Sequence, residues 1–156
     1  MAVQIIVDST ADFSAKEIEK RQITCIPMTV TFGNEQYIDG VDLTKEEFFV
    51  KLTNEKEFPK TSQPSPAKFA DCFEEAKENG DDVVAILVSG ALSGTVQSAT
   101  IAKDIAEYDG VYIVDSKSAT LGIRLLVDRA VRMRDQGKSA KEIAEALDEL
   151  KARVRI

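Results

Sequence analysis

The chain has 156 residues, of which 44% are hydrophobic and 30% are charged, and its formal net charge is −7. This length and composition are typical of one globular domain, since such domains hold about 100–200 residues. The sequence contains no basic stripe with interleaved aromatic residues, which argues against nucleic acid as a partner. The acidity by itself identifies no ligand.

The sequence also argues against a secreted or membrane-spanning protein. The first residues lack a basic segment, and Asp8 ends the first apolar run, unlike a signal peptide. Residues 83–102 carry no charge, but their Ser, Thr, Gly and Gln residues favour a buried strand, a turn and a helix over a membrane span. Cys25 and Cys72 lack metal-ligand spacing and there is no histidine, so we expect buried thiols, no metal and no cofactor. We predict a cytoplasmic protein with no transmembrane segment.

The amino-terminal part of the chain predicts strands around one short helix. An apolar, β-branched run at residues 3–7 predicts a buried strand, and Ser14 is placed to cap a short amphipathic helix. Residues 23–32 are rich in Thr, Ile and Val and predict one extended segment. A Gly-Asn turn follows, from which residues 36–38 return as a hairpin arm.

The middle of the chain predicts two helices joined by a loop. Thr44 and Glu47 form a capping-box pattern that begins the first helix. Residues 53–66 are polar, contain three prolines and predict a loop. Ser65 and Pro66 then begin the second helix.

The last part of the chain predicts two more buried strands and three helices. Apolar runs at residues 83–88 and 111–114 predict the strands, and Ser93 or Thr95 is expected to cap the helix between them. Residues 119–136 predict a long helix. Its predicted apolar face comprises Leu121, Leu125, Leu126, Val127, Ala130 and Met133.

Strands that alternate with helices predict an α/β fold, with three α/β/α layers around a mainly parallel, Rossmann-like sheet. A second capping box at Ser139 and Glu142 begins a final helix, residues 139–156. The chain stops in a basic, β-branched run that looks ready to continue. We therefore expect residues 1–156 to form one domain whose final helix leads towards a second, absent domain.

Small polar residues follow all three apolar strands. Asp8-Ser9-Thr10, Ser89-Gly90 and Asp115-Ser116 stand where those strands end, and the carboxyl ends of parallel strands meet at one ligand-binding edge. Ser9, Asp115 and Ser116 are therefore candidate ligand-binding residues. The same residue types also serve simply to cap the helices that follow.

Residues 89–95 form a glycine-containing turn between a buried strand and a helix. The free amides and the dipole at the start of that helix favour an anion, Gly94 allows close approach of the backbone, and Ser93 and Thr95 supply hydroxyls. Without a phosphate-loop lysine, this set favours a singly charged group such as a carboxylate. Because Lys117 supplies a positive charge nearby in the sequence, phosphate remains an alternative ligand.

Residues 61–66, Thr-Ser-Gln-Pro-Ser-Pro, form the other dense polar cluster. The prolines stiffen the segment, and Thr61 and Ser62 have no evident structural duty, so function and helix capping remain equally open there.

Taken in order, five short motifs resemble those of the DegV family over nearly the whole chain: residues 8–10, 37–43, 61–66, 92–99 and 114–116.

The resemblance implies the amino-terminal domain of a bacterial fatty-acid-binding protein that is not itself an enzyme. Members of the family bind one long-chain fatty acid and present it to a fatty acid kinase, which makes an acyl-phosphate for phospholipid synthesis. By resemblance, Thr61 and Ser93 hold the carboxylate, and a second domain closes the acyl tunnel and contributes a histidine.

Two other hypotheses remain open from the sequence. The first is a phosphoryl- or acyl-transfer enzyme with Ser93 as nucleophile, for which no general base is evident because a Ser-His-Asp triad needs a histidine. The second is a bare interaction domain whose hydroxyls are only helix caps.

Overall fold

The structure, a computed structural model, describes residues 2–154, and residues 1, 155 and 156 lie outside the described part. The strands, in chain order, are β1 (Val3–Asp8), β2 (Thr24–Ile26), β3 (Thr29–Phe32), β4 (Glu35–Ile38), β5 (Lys60–Ser62), β6 (Asp82–Leu87) and β7 (Val111–Asp115). The α-helices are α1 (Ala15–Arg21), α2 (Lys45–Asn54), α3 (Pro66–Asn79), α4 (Thr95–Ala106), α5 (Leu121–Asp135) and α6 (Ala140–Lys151). A 3₁₀ turn, Ser9–Ala11, follows β1.

A four-stranded parallel sheet in the order β2-β1-β6-β7 forms the centre of the fold. On one face, Phe69 and Phe73 of α3 and the alanines of α4 pack against Ile6, Ala85 and other buried strand residues. On the other face, α5 and α6 cover the sheet with apolar residues that include Leu126. This confirms the predicted three-layer α/β/α fold with a mainly parallel, Rossmann-like sheet.

A second, antiparallel sheet in the order β4-β3-β5 extends the predicted fold. The expectation of one extended segment at residues 23–32 was wrong, because the chain leaves the large sheet at Pro27 and continues in the small one. The loop expected at residues 53–66 was also wrong in part, because residues 60–62 pair with β3 as β5. β5 is exposed along its length and so shows no alternation of apolar and polar residues.

The helix starts follow the sequence in most places. Ser14, Thr44 and Ser139 each accept a hydrogen bond in a complete capping box. The start of α4 differs, because its N-cap residue is Gly94, with no side-chain cap, and Thr95 is already the first helical residue.

The outer face of α5 carries apolar residues that were expected inside. Leu121 and Leu125 of α5 are 64% and 57% exposed, because α5 turns its Ile123, Leu126 and Val127 side towards the sheet. Cys25 and Cys72 are half-buried free thiols rather than fully buried ones.

The final helix is shorter than expected. α6 ends at Lys151, and residues 155 and 156 of the predicted 139–156 helix lie outside the described residues. Within residues 2–154, no helix is both long enough and apolar enough to cross a membrane.

The contacts of Glu17 join α1 to α5 and predict that the stability of the fold depends on pH. Its carboxylate accepts the Ser14 N–H at 2.9 Å and pairs with Arg124 of α5, and these contacts, the Ser14 N–H first, lower the pKa of Glu17 from 4.5 to about 2. A lowered folded-state pKa stabilises the fold above the unfolded-state pKa, and this stabilisation is lost as the pH falls from 4.5 towards 2. We expect Glu17→Gln to lower the thermal midpoint at pH 7 by more than at pH 2.5. An equal loss at both pH values, measured by circular dichroism, would contradict this.

Candidate functional site

A cavity of about 680 Å³ lies at the carboxyl edge of the parallel sheet, beside the small sheet. Two strand ends contribute Thr10, after β1, and Val88, after β6. The complete lining comprises Thr10, Met28, Thr61, Ser62, Gln63, Val88, Leu92, Ser93, Gly94 and Ala119. The edge at which polar residues follow the strands is therefore the edge that carries a cavity, as expected for an open parallel sheet.

The cavity brings together residues from the two polar segments of the sequence. Thr61 and Ser62 line it from β5, and Ser93 and Gly94 line it from the turn before α4. The two segments are about 30 residues apart in the sequence and belong to different sheets. Their convergence on one cavity is what a shared ligand requires.

Ser93 is held in place by Thr95, two residues later in the chain. Its Oγ accepts the Thr95 N–H at 3.3 Å and lies 2.8 Å from Thr95 Oγ1. Thr95 is fully buried, and its hydroxyl reaches Met28 Sδ at 3.8 Å. Thr95 therefore holds Ser93 from the buried side of the turn, and Ser93 remains partly exposed at the cavity wall.

The space beside Gly94 is occupied by the Gln63 side chain. A Cβ atom placed at Gly94 would lie 2.6 Å from Gln63 Nε2 and 2.8 Å from Gln63 Cδ. The sequence interpretation attributed this glycine to close approach of a ligand. In the structure the Gln63 amide occupies this space.

Asp8 joins the ends of β1 and β6 behind the cavity. Its carboxylate accepts the Val88 N–H at 2.7 Å and the Thr10 N–H at 2.9 Å, together with the Thr10 hydroxyl. Burial raises the pKa of Asp8 above 3.8, and these hydrogen bonds only partly oppose that effect. Since the Thr10 hydroxyl donates its proton to Asp8, Thr10 faces the cavity as a hydrogen-bond acceptor.

Besides the buried Thr95, three predicted site residues do not line the cavity. Ser9 Oγ accepts the Met28 N–H at 3.0 Å and so connects the two sheets. Ser116 is buried and its hydroxyl donates to a neighbouring backbone carbonyl in its own turn. Asp115 pairs with Lys117, whose Nζ lies 2.7 Å from Asp115 Oδ2. These contacts account for all three as parts of the loops that support the edge.

Asp115 is the ion-pair partner of Lys117 in the turn after β7. Burial would raise the pKa of Asp115, but hydrogen bonds from Lys117 and from the Gly90 N–H outweigh burial and lower it below 3.8. Asp115 is therefore a carboxylate at neutral pH and pairs with the lysine beside it.

The sequence interpretation missed much of the apolar lining. Met28, Val88, Leu92 and Ala119 come from four separate segments, and single apolar residues near a strand end give no functional signal. Thr10 was visible as part of a polar strand end, but nothing in the sequence ranked it above Ser9.

Comparison with known proteins identifies the family. The profile of the DegV family, a family of uncharacterised proteins, matches residues 2–156. The chain belongs to the DegV family. A DegV domain-containing protein of Caldanaerobacter subterraneus is 38% identical over 153 residues, which cover 98% of this chain and 54% of the relative. The chain thus spans about half the length of the curated DegV relatives it matches.

Solved DegV structures share the fold described above. A fatty-acid-binding DegV family protein from Thermus thermophilus is 35% identical, with a TM-score of 0.87 over 97% of this chain and 54% of that one. The B3 protein of the fatty acid kinase of Streptococcus pneumoniae, loaded with linoleic acid, is 27% identical, with a TM-score of 0.82 over 97% of this chain and 55% of that one.

Proposed function

We propose that this chain binds a long-chain fatty acid, with the carboxylate lying between Thr61 and Ser93. The observation that supports it most is that these two residues, one on β5 of the small sheet and one in the turn after β6 of the large sheet, line one cavity. Binding of a fatty acid by the DegV relative from Thermus thermophilus is the second support.

The polar side of the cavity suits one negative charge. Thr61, Ser62 and Ser93 line it next to the amino end of α4, where the helix dipole and free amides favour an anion. The lining residues include no lysine or arginine. A polyphosphate, which needs several positive charges, is therefore a poorer ligand than a carboxylate.

The other side of the cavity suits an acyl chain. Met28, Val88, Leu92 and Ala119 provide apolar surface, and contact with it removes the methylene groups of the ligand from water, at about 0.8 kcal/mol for each buried CH₂. Leu92 is 70% exposed in the chain alone. We propose that in the whole protein a second domain covers this side of the acyl chain.

We propose further that the chain is a non-catalytic, cytoplasmic subunit that presents its fatty acid to a kinase. The support is the likeness to the Streptococcus pneumoniae protein, which is a component of a fatty acid kinase. Use of Ser93 as a nucleophile is less well supported. Its hydroxyl contacts Thr95, and the cavity lining contains no carboxylate, lysine or histidine to act as a general base.

Two treatments of the purified chain test these proposals. An organic extract, analysed by mass spectrometry, is expected to contain a long-chain fatty acid at a molar ratio near one to the protein. Incubation with an acyl-phosphate, followed by peptide mass mapping, is expected to leave Ser93 unmodified. Delipidated chain that takes up no hexadecanoic acid would contradict lipid binding, and an acylated or phosphorylated Ser93 would contradict the non-catalytic role.

A further inference from the structure

The two hydroxyl-bearing walls of the cavity belong to separate sheets. Thr61 lies on β5, which pairs with β3 of the antiparallel sheet, whereas Ser93 lies on the turn between β6 and α4 of the large sheet. Within the described residues the two sheets share no strand pairing. The separation of Thr61 and Ser93 therefore depends on the short segment between β2 and β3 and on side chains that connect the two parts.

Gln63 makes such a connection directly beside both hydroxyls. Its Nε2 donates to Ser98 Oγ on α4 at 3.2 Å, and Ser98 is 3% exposed. The same amide lies against Gly94, where a Cβ atom would come within 2.6 Å of Nε2. Gln63 therefore lies in a space that exists because residue 94 has no side chain.

We propose that Gln63 is a positioning residue that clamps β5 against the start of α4 and thereby sets the separation of Thr61 and Ser93. The clamp itself does not depend on the proposed function. Only its expected effect, on the affinity for a carboxylate, rests on that function. Gln63 follows Thr61 by two residues, and Gly94 follows Ser93 directly. A shift at the Gln63–Gly94 contact is thus transmitted to both hydroxyls over one or two peptide units.

Two substitutions act on opposite sides of this contact. Gln63→Ala removes the clamp, and Gly94→Ala inserts a methyl group where the amide lies. The backbone at Gly94 has φ −77°, a conformation that alanine adopts without strain, so the second substitution acts through Gln63. Each is expected to weaken the binding of hexadecanoic acid about tenfold, measured by equilibrium dialysis.

The double variant separates a shared contact from two independent defects. Because Gln63→Ala removes the atoms that the methyl group added by Gly94→Ala would meet, the double variant is expected to bind as Gln63→Ala does, without a further loss. Losses that multiply would overturn the clamp, as would a Gln63→Ala variant that binds like the unsubstituted chain. Circular dichroism on all variants checks that they are folded.

A distance measurement tests the clamp without any ligand. Spin labels at Lys60 and Thr100, both exposed, in a chain with Cys25 and Cys72 replaced by alanine, report the spacing of β5 and α4. Gln63→Ala is expected to broaden the distance distribution or move it by several ångströms. Broadening supports the clamp even if no chain binds fatty acid, in which case only the proposed function fails. An unchanged distribution overturns the clamp even if fatty acid binds.

Discussion

Replacing Ser93 with alanine is expected to weaken the binding of hexadecanoic acid by about 5- to 150-fold, equivalent to about 1–3 kcal/mol for a lost hydrogen bond to a charged group. The Ser93 Oγ accepts the Thr95 N–H at 3.3 Å and lies 2.8 Å from Thr95 Oγ1, and either hydroxyl can donate in that contact. When Thr95 donates, the Ser93 proton is available to the ligand. Alanine removes that donor and leaves the carboxylate one partner short in a cavity that offers no cation. Equilibrium dialysis with radiolabelled acid measures the change.

Two further variants calibrate this result. Thr61→Ala is expected to weaken binding in the same direction, since Thr61 lines the same cavity. Thr100→Ala serves as the matched control, because it removes an exposed hydroxyl that bonds to the Val96 carbonyl of its own helix at 2.9 Å. Equal affinities for Ser93→Ala and Thr100→Ala would mean that the Ser93 hydroxyl does not touch the ligand.

Replacing Phe73 with alanine is expected to destabilise the fold by about 3–5 kcal/mol. Phe73 is fully buried between α3 and the sheet, where its ring lies 6.0 Å from that of Phe69. Removing the ring loses its transfer free energy and leaves a cavity in a packed layer. For a chain of this size the thermal midpoint is expected to fall by about 6–20 °C. Denaturant unfolding followed by circular dichroism measures the free energy directly.

Phe58 offers a control with the same change in side chain. It is 86% exposed, so Phe58→Ala is expected to change the free energy of unfolding by no more than about 0.5 kcal/mol. If the two variants lost similar stability, the assignment of the α3 face to the core would be wrong.

The sequence predicted the large sheet well, because a strand buried on both faces must be apolar throughout. Residues 83–88 and 111–114 show this pattern, and the structure places them at β6 and β7. The polar residues after these strands predicted the edge at which the cavity lies. The capping box of Thr44 with Glu47 was also predicted, since both hydrogen bonds form within four consecutive residues.

The features that the sequence did not reveal depend on pairing between distant segments. β5 is a strand only because residues 60–62 hydrogen-bond to β3, and its own residues are polar and exposed. The close approach at Gly94 comes from Gln63, which is 31 residues earlier in the chain. The exposure of Leu121 depends on the rotation of α5 over the sheet, which the apolar pattern of that helix leaves undetermined.

The location of a bound fatty acid tests the central proposal most directly. Amide chemical shifts of the ¹⁵N-labelled chain, recorded during titration with hexadecanoic acid, report which backbone groups the ligand reaches. We expect saturable changes at residues 61–63 and 92–95. Residues such as Gln22 and Gly137, which line a second cavity of about 570 Å³ against the first residues of β1, are expected to stay unchanged. Changes confined to that second cavity, or none in either, would contradict a carboxylate held between Thr61 and Ser93.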